Sequence, residues 1–277
     1  MQEATFNALA DLALSTTGQF ISPSKAYLVE TRLSAILRRE GFASCDDLVA
    51  CLSARPNPVL QSEVAAAMQT RQTHFFRDRD DLARLVSDLI PHKLKRSKAG
   101  RLKILCAGVS TGQEAYSLAI LLSEHAQALR GARIDITATD ICKQSLTAAR
   151  AGTYGHFDIQ NGLSVHRLLS HFSQLETGQW QASEELRRGI GFRHHNLLDE
   201  EAPLGHFDVI LCRHVLSGMS KSMRQKAAEL LADKLAREGV LMLGSGESLT
   251  GVTPVLEPSR RHRGGWIFVP ESQRQVA

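Results

Sequence analysis

Two short segments of this chain that read as strands, the first of them apolar, are each followed by residues that can bind a ligand. The run at 104–107 ends at Gly108, after which a small polar turn leads into helical apolar spacing from Ala115. The run at 134–139 ends at Asp140. In open α/β sheets, a glycine turn after one strand lets a ligand approach the backbone, and an acid after the next strand accepts hydrogen bonds from ribose hydroxyls. The pattern therefore favours a nucleoside-type ligand at the carboxyl ends of neighbouring strands.

Two plainer interpretations of the same residues stay open. A strand, a glycine turn and a helix can form a core without any ligand, and Asp140 can serve to cap the helix predicted over 143–150. Ser110 or Thr111 is expected to cap the helix that follows the glycine turn. The sequence contains no G-x-G-x-x-G and no G-x-x-x-x-G-K-[ST] motif, so neither a dinucleotide nor a nucleoside triphosphate is favoured.

A second cluster of functional side chains surrounds two adjacent aromatic residues. Thr73 and Arg77 flank Phe75 and Phe76 among other polar residues. One interpretation is a loop that the two aromatic rings anchor in the core. The other is that Thr73 and Arg77 face a pocket, where the guanidinium of Arg77 clamps a carboxylate through paired N–H donors. The residues alone favour the anchored loop.

Composition excludes several classes of protein. The 277 residues carry 33 Lys and Arg against 29 Asp and Glu, and this mild net charge of +4 does not indicate nucleic acid as a partner. The five cysteines lack C-x-x-C spacing, so neither a disulfide framework nor a metal site is expected. No apolar run is long enough to span a bilayer and no signal peptide is evident, so we expect a cytoplasmic protein without membrane insertion.

The periodicity predicts two domains of different class. Apolar residues at helical spacing fill 1–88 and predict an all-helical N-terminal domain. Residues 89–100 are rich in Lys and Arg and are expected to form a basic linker. Over 101–277, apolar strands alternate with helices, which predicts an α/β domain with a mostly parallel sheet. The segment 175–186 predicts a small β excursion from that sheet.

Taken together, the motifs resemble those of the chemotaxis receptor methyltransferases, the CheR family. The similar segments are 27–33 in the second helix, T-H-F-F-R at 73–77, S-T-G-Q-E-A-Y-S at 110–117, A-T-D-I at 138–141, N-L-L at 196–198, C-R-H-V at 212–215 and G-S-G-E at 244–247. Each is weak alone, but their order and spacing make the resemblance specific. It implies that the α/β domain is a Rossmann-like methyltransferase domain.

The resemblance also implies an activity and its residues. The family transfers a methyl group from S-adenosyl-L-methionine to glutamate side chains of chemoreceptors, so a chemoreceptor or a receptor-like signalling protein is the expected partner. The cofactor-binding set is expected to be Arg71, Thr73, Arg77, Gly108, Glu114, Asp140, Asn196, Leu197, Arg213 and His214. Of these, Arg77 is the expected catalytic residue, Asp140 would hold the ribose hydroxyls, and the Asn196 amide would read the adenine edge. A glutamate carboxylate is already ionised at neutral pH, so no general base is required.

Several residues depart from the family pattern, mostly on the side that faces the substrate. They are Arg71 in place of Asn, Gln113 in place of Glu, Ala115 in place of Pro, His214 in place of Asn, Gly218 in place of an active-site Tyr, and Ser245 and Gly246 in the last motif. These changes leave an alternative open, a cofactor-binding signalling module with weak or no methyl transfer. Methylation of another acid or of nucleic acid is a weaker option. His214 is either a hydrogen-bond donor or only a packed side chain, and the short β excursion does not favour binding of a tethering peptide.

Overall fold

Amphipathic helices form the first layer of the structure. The computed structural model describes residues 1–69, 72–97, 100–129, 131–201 and 203–269, so Arg71 of the expected cofactor set lies outside the described residues. The first helices are α1 (Glu3–Thr17), α2 (Ala26–Glu40), α3 (Cys45–Ala54) and α4 (Pro58–Met68). Gly18 and Gly41 end α1 and α2 in the left-handed conformation, and the side chains of Ser44 and Asn57 cap α3 and α4. The four helices share one buried apolar cluster, which confirms the helical prediction for this part of the chain.

The segment that the sequence predicts as a basic linker is mostly helical. A helical stretch runs through α5 (Arg79–Arg84), a π-helical turn (Leu85–Leu89) and α6 (Ile90–Arg96). Leu89 and Ile90 are buried in the same apolar cluster as residues of the first strand. The expectation of a solvated linker is therefore wrong for this helical part, because apolar burial outweighs the local excess of basic residues. The domain limits at residues 88 and 100 themselves stay a prediction.

The rest of the described chain alternates strands with helices. The further helices are α7 (Gln113–Glu124), α8 (Lys143–Ala151), α9 (His156–Gln160), α10 (Val165–His171), α11 (Glu184–Arg188) and α12 (Lys221–Asp233). The strands are β1 (Arg101–Ala107), β2 (Arg133–Asp140), β3 (Thr153–Tyr154), β4 (Phe172–Gln174), β5 (Trp180–Ala182), β6 (Ile190–His194), β7 (Phe207–Leu211), β8 (Leu235–Met242), β9 (Leu256–Pro258) and β10 (Gly265–Phe268). Among the described helices, none has the length and apolar character that a membrane span requires.

Seven strands form the main sheet, in the order β6-β2-β1-β7-β8-β10-β9. The strands from β6 to β8 are parallel, and β10 and β9 pair antiparallel at one edge. The chain extends from β1 through β2 to β6 on one side and then from β7 to β8 on the other. The strand order therefore reverses between β1 and β7, and ligands of such sheets bind outside the carboxyl ends at that reversal. The mostly parallel sheet is confirmed, whereas the short strand β9 was not predicted.

A small antiparallel sheet forms separately from the main sheet. It has the order β3-β5-β4 and confirms the predicted β excursion. The hydroxyl of Tyr154 on β3 donates a hydrogen bond to the Thr111 carbonyl at 2.9 Å, which ties this small sheet to the glycine turn after β1. The excursion therefore supports the turn on which the candidate site depends.

Phe75 anchors the segment that carries Thr73 and Arg77. Its ring is fully buried and meets the rings of Tyr154 and Phe172 edge-on, with centroids 5.0 and 5.6 Å apart. Its backbone N–H donates to the Asn161 carbonyl at 3.2 Å. The prediction of an anchored loop is therefore confirmed, and the same anchor fixes the position of its polar residues.

The packing of Phe75 makes a prediction about two glycines. Gly162 and Gly178 have φ of 95° and 80°, so alanine at either position carries backbone strain of about 1–2 kcal/mol. A Cβ at position 162 would also collide with the Phe75 carbonyl oxygen, whereas nothing lies within 4 Å of one at position 178. In urea unfolding, Gly162→Ala should therefore lose at least about 2 kcal/mol more than Gly178→Ala. Equal losses would contradict this packing of Phe75.

Candidate functional site

The turn between β1 and α7 lies at the reversal of strand order. The backbone N–H groups of Gly108 and Val109 both donate to the Thr139 carbonyl, at 2.8 and 3.0 Å, so this turn is joined to the end of β2. A Cβ at Gly108 would lie 2.5 Å from Val215, so only glycine fits at this position. Gly112 occupies the N-cap position of α7 without a side-chain cap, so the expected cap from Ser110 or Thr111 is wrong. A left-handed turn needs glycine there, and this requirement outweighs capping preference.

Asp140 joins the two turns that border the site. Its Oδ2 accepts the Ser110 N–H at 2.7 Å, and its Oδ1 accepts the Cys142 N–H at 2.8 Å. Cys142, not Asp140, is the N-cap residue of α8. Because each carboxylate oxygen accepts more than one hydrogen bond, the same side chain has capacity for a hydroxyl ligand. Asp140 therefore sits where the sequence predicts a ribose-binding acid.

Arg213 follows β7 and connects three separate segments of the chain. Its Nη1 donates to Glu114 at 2.8 Å, and its Nη2 donates to Asp78 at 2.9 Å and to the Arg77 carbonyl at 2.6 Å. Only 7% of the residue is exposed, and within the described part of the chain its Nε has no hydrogen-bond partner. A buried guanidinium needs such carboxylate partners, because an unpaired buried charge is strongly unfavourable. Arg213 therefore fixes the segment after Arg77 against α7.

His214 and Glu247 extend this network to the end of β8. His214 has φ of 60°, and its backbone N–H donates to Glu247 Oε2 at 2.6 Å. The same carboxylate oxygen accepts the Gly244 N–H at 2.9 Å. The His214 ring donates from Nε2 to Asp78 Oδ2 at 2.7 Å, since an ionised carboxylate only accepts. His214 is therefore a hydrogen-bond donor in the network and not merely a packed ring.

Two carboxyl groups of this network, those of Asp78 and Glu114, have pKa values that are shifted in opposite directions. Burial favours the neutral form of Asp78, but the Ser245 amide, His214 and Arg213 outweigh it and lower the pKa of Asp78 to about 2. Burial raises the pKa of Glu114, although Arg213 opposes the shift. Asp78 therefore stays ionised at neutral pH and can hold both Arg213 and His214.

A cavity of about 320 Å³ lies at the glycine turn, Asp140 and Arg213. Of the expected site residues, Thr73, Arg77, Gly108, Glu114, Asp140, Arg213 and His214 line it. The Arg77 guanidinium is partly exposed there, and its Nη1 donates to the Gln72 carbonyl at 3.0 Å. The cavity is therefore lined by the glycine turn, by Asp140 and by the segment of Thr73 and Arg77. This agrees with the interpretation in which Thr73 and Arg77 face a pocket. Within the described ranges no group of side chains has the arrangement of a metal site.

Asn196 and Leu197 do not line this cavity. The Asn196 side-chain amide donates to the Thr16 carbonyl at 2.8 Å, and its oxygen accepts the Leu198 N–H at 3.1 Å. Leu197 is buried in the apolar cluster on one face of the sheet. The predicted contacts of Asn196 and Leu197 with the cofactor therefore stay a prediction, and in this structure the Asn196 amide is bonded to the end of α1.

Two features of the site were missed from the sequence: one is the carboxylate that binds Arg213, and the other is a residue that lines the cavity. Asp78, the direct neighbour of Arg77, is bonded to Arg213 and His214, and only its position beside the T-x-F-F-R segment hinted at this. Gln19 lines the cavity beside Gly218, and its Nε2 donates to the Val215 carbonyl at 3.3 Å. A Cβ at Gly218 would collide with the Gln19 side chain. Gln19 therefore fills space next to the position where the family pattern has an aromatic ring.

Sequence comparisons match the helical part of the chain and the α/β part to two separate profiles. A profile described as the CheR methyltransferase all-alpha domain matches residues 4–68, and one described as the CheR methyltransferase SAM binding domain matches residues 71–263. A chemotaxis protein methyltransferase of Vibrio parahaemolyticus is 36% identical over 90% of this chain and 91% of its own. Chemotaxis protein methyltransferase Cher2 of Pseudomonas putida is 33% identical over 85% of this chain and 86% of its own. Chemotaxis protein methyltransferase 1 of Vibrio cholerae is 34% identical over 90% and 91%.

The contact between Gln19 and Gly218 predicts coupled mutations. Gly218→Tyr alone should cost about 1–3 kcal/mol of unfolding free energy, because the Gln19 amide must turn away and leave the Val215 carbonyl without its donor. Combining it with Gln19→Gly should recover at least about 1 kcal/mol beyond additivity, as expected for residues in direct contact. Urea unfolding of the two single variants, the double variant and the wild type measures this coupling. Additive energies would contradict the described contact.

Proposed function

Since the chain belongs to the CheR methyltransferase family, we propose that it methylates glutamate side chains of chemoreceptors. The chain is a methyltransferase, and its cofactor is S-adenosylmethionine. The observation that carries the proposal is that Arg77 reaches the same cavity as Asp140 and the Arg213–Glu114 ion pair. A cation for an incoming carboxylate therefore lies beside groups that suit the cofactor.

The side chains of the cavity fit the chemical groups of the cofactor. S-adenosylmethionine has a ribose diol and an amino acid end that carries one positive and one negative charge. Asp140 would accept hydrogen bonds from the diol, since one carboxylate can serve two hydroxyls. Glu114 and Arg213 supply opposite charges in the same cavity, and the buried Nε of Arg213 has no hydrogen-bond partner among the described residues. These groups would hold the amino acid end.

The proposed chemistry makes modest demands on the protein. When bound, the cofactor supplies a methyl carbon that its sulfonium already activates. A glutamate carboxylate is ionised at neutral pH and needs no general base, so alignment of the two reactants is the main task. Arg77 would orient the incoming carboxylate, while the Arg213 network fixes the backbone after Arg77.

Charge and exposure at the cavity mouth support an acidic protein as the substrate. Lys25, Arg77 and Phe20 all line the cavity, and 68% of the Phe20 surface is exposed. Two cations next to an exposed aromatic ring suit a glutamate side chain that arrives on a protein surface. The matched relatives are named chemotaxis methyltransferases, which directs the proposal to chemoreceptors.

A transfer assay tests this function. The protein is incubated with methyl-tritiated S-adenosylmethionine and the cytoplasmic fragment of each chemoreceptor of its host. We expect base-labile label, as a carboxyl ester requires, on at least one fragment, and its loss when the labelled Glu is changed to Gln. Arg77→Ala should lower kcat/KM for the receptor by about 10–100-fold, the value of a charged hydrogen bond. The matched control is Arg79→Ala, an exposed neighbour that does not line the cavity.

Two results would contradict the proposal. One is the absence of label on every receptor fragment while S-adenosylmethionine still binds. The other is base-stable label, which would place the methyl group on nitrogen or sulfur. Equal losses for Arg77→Ala and Arg79→Ala would remove the role assigned to Arg77.

A further inference from the structure

A second cavity lies at the amino edge of the main sheet, opposite the candidate site. Its volume is about 710 Å³, and α6, the end of α12, the first half of β8 and the end of β10 line it. Since β1, β7 and β8 are parallel, the start of β8 is at the edge away from the cofactor cavity. None of the residues that line this cavity lines the cofactor cavity.

A bulge in β8 forms one wall of this second cavity. The ladder pairs Phe207 with Leu235 and Val209 with Val240, so β8 has extra residues between the two pairs. Glu238 in this bulge has φ of 65°. A bulge redirects side chains out of the regular pleat, and such features are frequent beside functional sites. Residues 236–239 of the bulge all line the cavity.

Cationic side chains reach the cavity from three separate elements. Lys93 and Arg96 come from α6, Arg237 comes from the bulge, and Arg261 comes from the turn between β9 and β10. The hydroxyl of Ser259 accepts the N–H of Arg261 at 3.3 Å, so the turn that carries this arginine is held in place. The cations therefore converge on one space through independent parts of the fold.

The carboxylates in the cavity wall neutralise only part of this positive charge. The Glu238 carboxylate already accepts two hydrogen bonds from Arg96, at 3.0 and 2.6 Å, and its carbonyl accepts one from the Lys93 ammonium. Asp233 is the other carboxylate in the wall. Across the described ranges, neither Arg237 nor Arg261 has a carboxylate within ion-pair distance. The cavity therefore has an excess of positive charge.

Two histidines lie beside these cations and line the same cavity. The rings of His92 and His262 lie 5.4 Å apart at their centroids. Burial, together with Arg261, Arg96 and Lys93, lowers the pKa of His92, and burial and Lys93 lower the pKa of His262. The Nδ1 of His92 is buried and has no hydrogen-bond partner in the part of the chain that the structure describes. Such a group is normally satisfied by a ligand or by water.

Apolar residues line the same cavity. Val240 and Ile267 line it, together with Phe268, which is 42% exposed. A large exposed aromatic ring beside clustered cations is suited to a flat ligand that also carries an anion. Because both cationic and apolar residues line this cavity, it differs from a surface patch that is only basic.

From the convergence of Lys93, Arg237 and Arg261 on a cavity that apolar residues also line, we propose that this site binds a small organic phosphate of the nucleotide class. Guanidinium groups bind phosphate through paired N–H donors, so Arg261 and Arg237 would hold the phosphate. The base would lie against the exposed ring of Phe268. The volume is within the range of roughly 300–1,000 Å³ that is typical of small-molecule sites. An extended acidic peptide is less suited, because the cavity is bounded by α6 and by the turn of Arg261.

The site is tested by titrating ADP into the wild-type protein by calorimetry. The protein is first saturated with S-adenosylhomocysteine, which occupies the cofactor cavity. We expect one ADP to bind per chain, adenosine not to bind measurably, and inorganic phosphate to bind at least about tenfold more weakly than ADP. Arg261→Ala should weaken ADP binding by about tenfold or more, because it removes a charged hydrogen bond. The matched control is Arg188→Ala, whose side chain is 78% exposed and pairs with Glu184 elsewhere.

Several outcomes would overturn the proposal. They are no binding of ADP at millimolar concentration, unchanged affinity in Arg261→Ala, equal affinity for inorganic phosphate and ADP, and tighter binding of a hexaglutamate peptide than of ADP. Lys93→Gln offers a second variant if Arg261→Ala does not fold, and it should weaken ADP binding in the same direction. Methyl transfer is not measured here, so failure of this site and failure of the proposed function remain distinguishable.

Discussion

The buried guanidinium of Arg213 is the interaction on which the candidate site depends. A buried arginine needs carboxylate partners, and here they come from the segment after Arg77 and from α7. Asp78 then binds His214 and the Ser245 amide as well, so the same charge also holds the loop that follows β8. The network therefore ties three segments to one another at the cofactor cavity: the segment after Arg77, the start of α7 and the loop that follows β8.

Local sequence signals predict the part of the site that depends on neighbouring residues. The strand and glycine turn before α7 and the acid at the end of β2 follow from periodicity and turn chemistry, and the structure brings Gly108 and Asp140 together as expected. The sequence left two interpretations of the Arg77 segment open, an anchored loop and a segment that faces a pocket. Both describe the structure, because Phe75 anchors the segment and Arg77 lines the cavity.

Long-range partners explain what the sequence does not predict. Asp78 accepts a hydrogen bond from Arg213, which is 135 residues away in the sequence. The Asn196 amide donates to the Thr16 carbonyl over a separation of 180 residues. No spacing rule connects positions so far apart. The prediction of a solvated linker before β1 was wrong because the burial of Ile90, and not the basic composition of the segment, decides its structure.

Binding of S-adenosylhomocysteine to the wild type and to Arg213→Lys, measured by calorimetry, tests the central claim most directly. Lysine keeps the charge but loses the paired donors that reach Glu114 and Asp78 together. We expect saturable binding to the wild type and a loss of at least about tenfold in affinity for the variant, with the folded state verified by circular dichroism. Undiminished affinity in Arg213→Lys, or no binding to the wild type, would contradict the account.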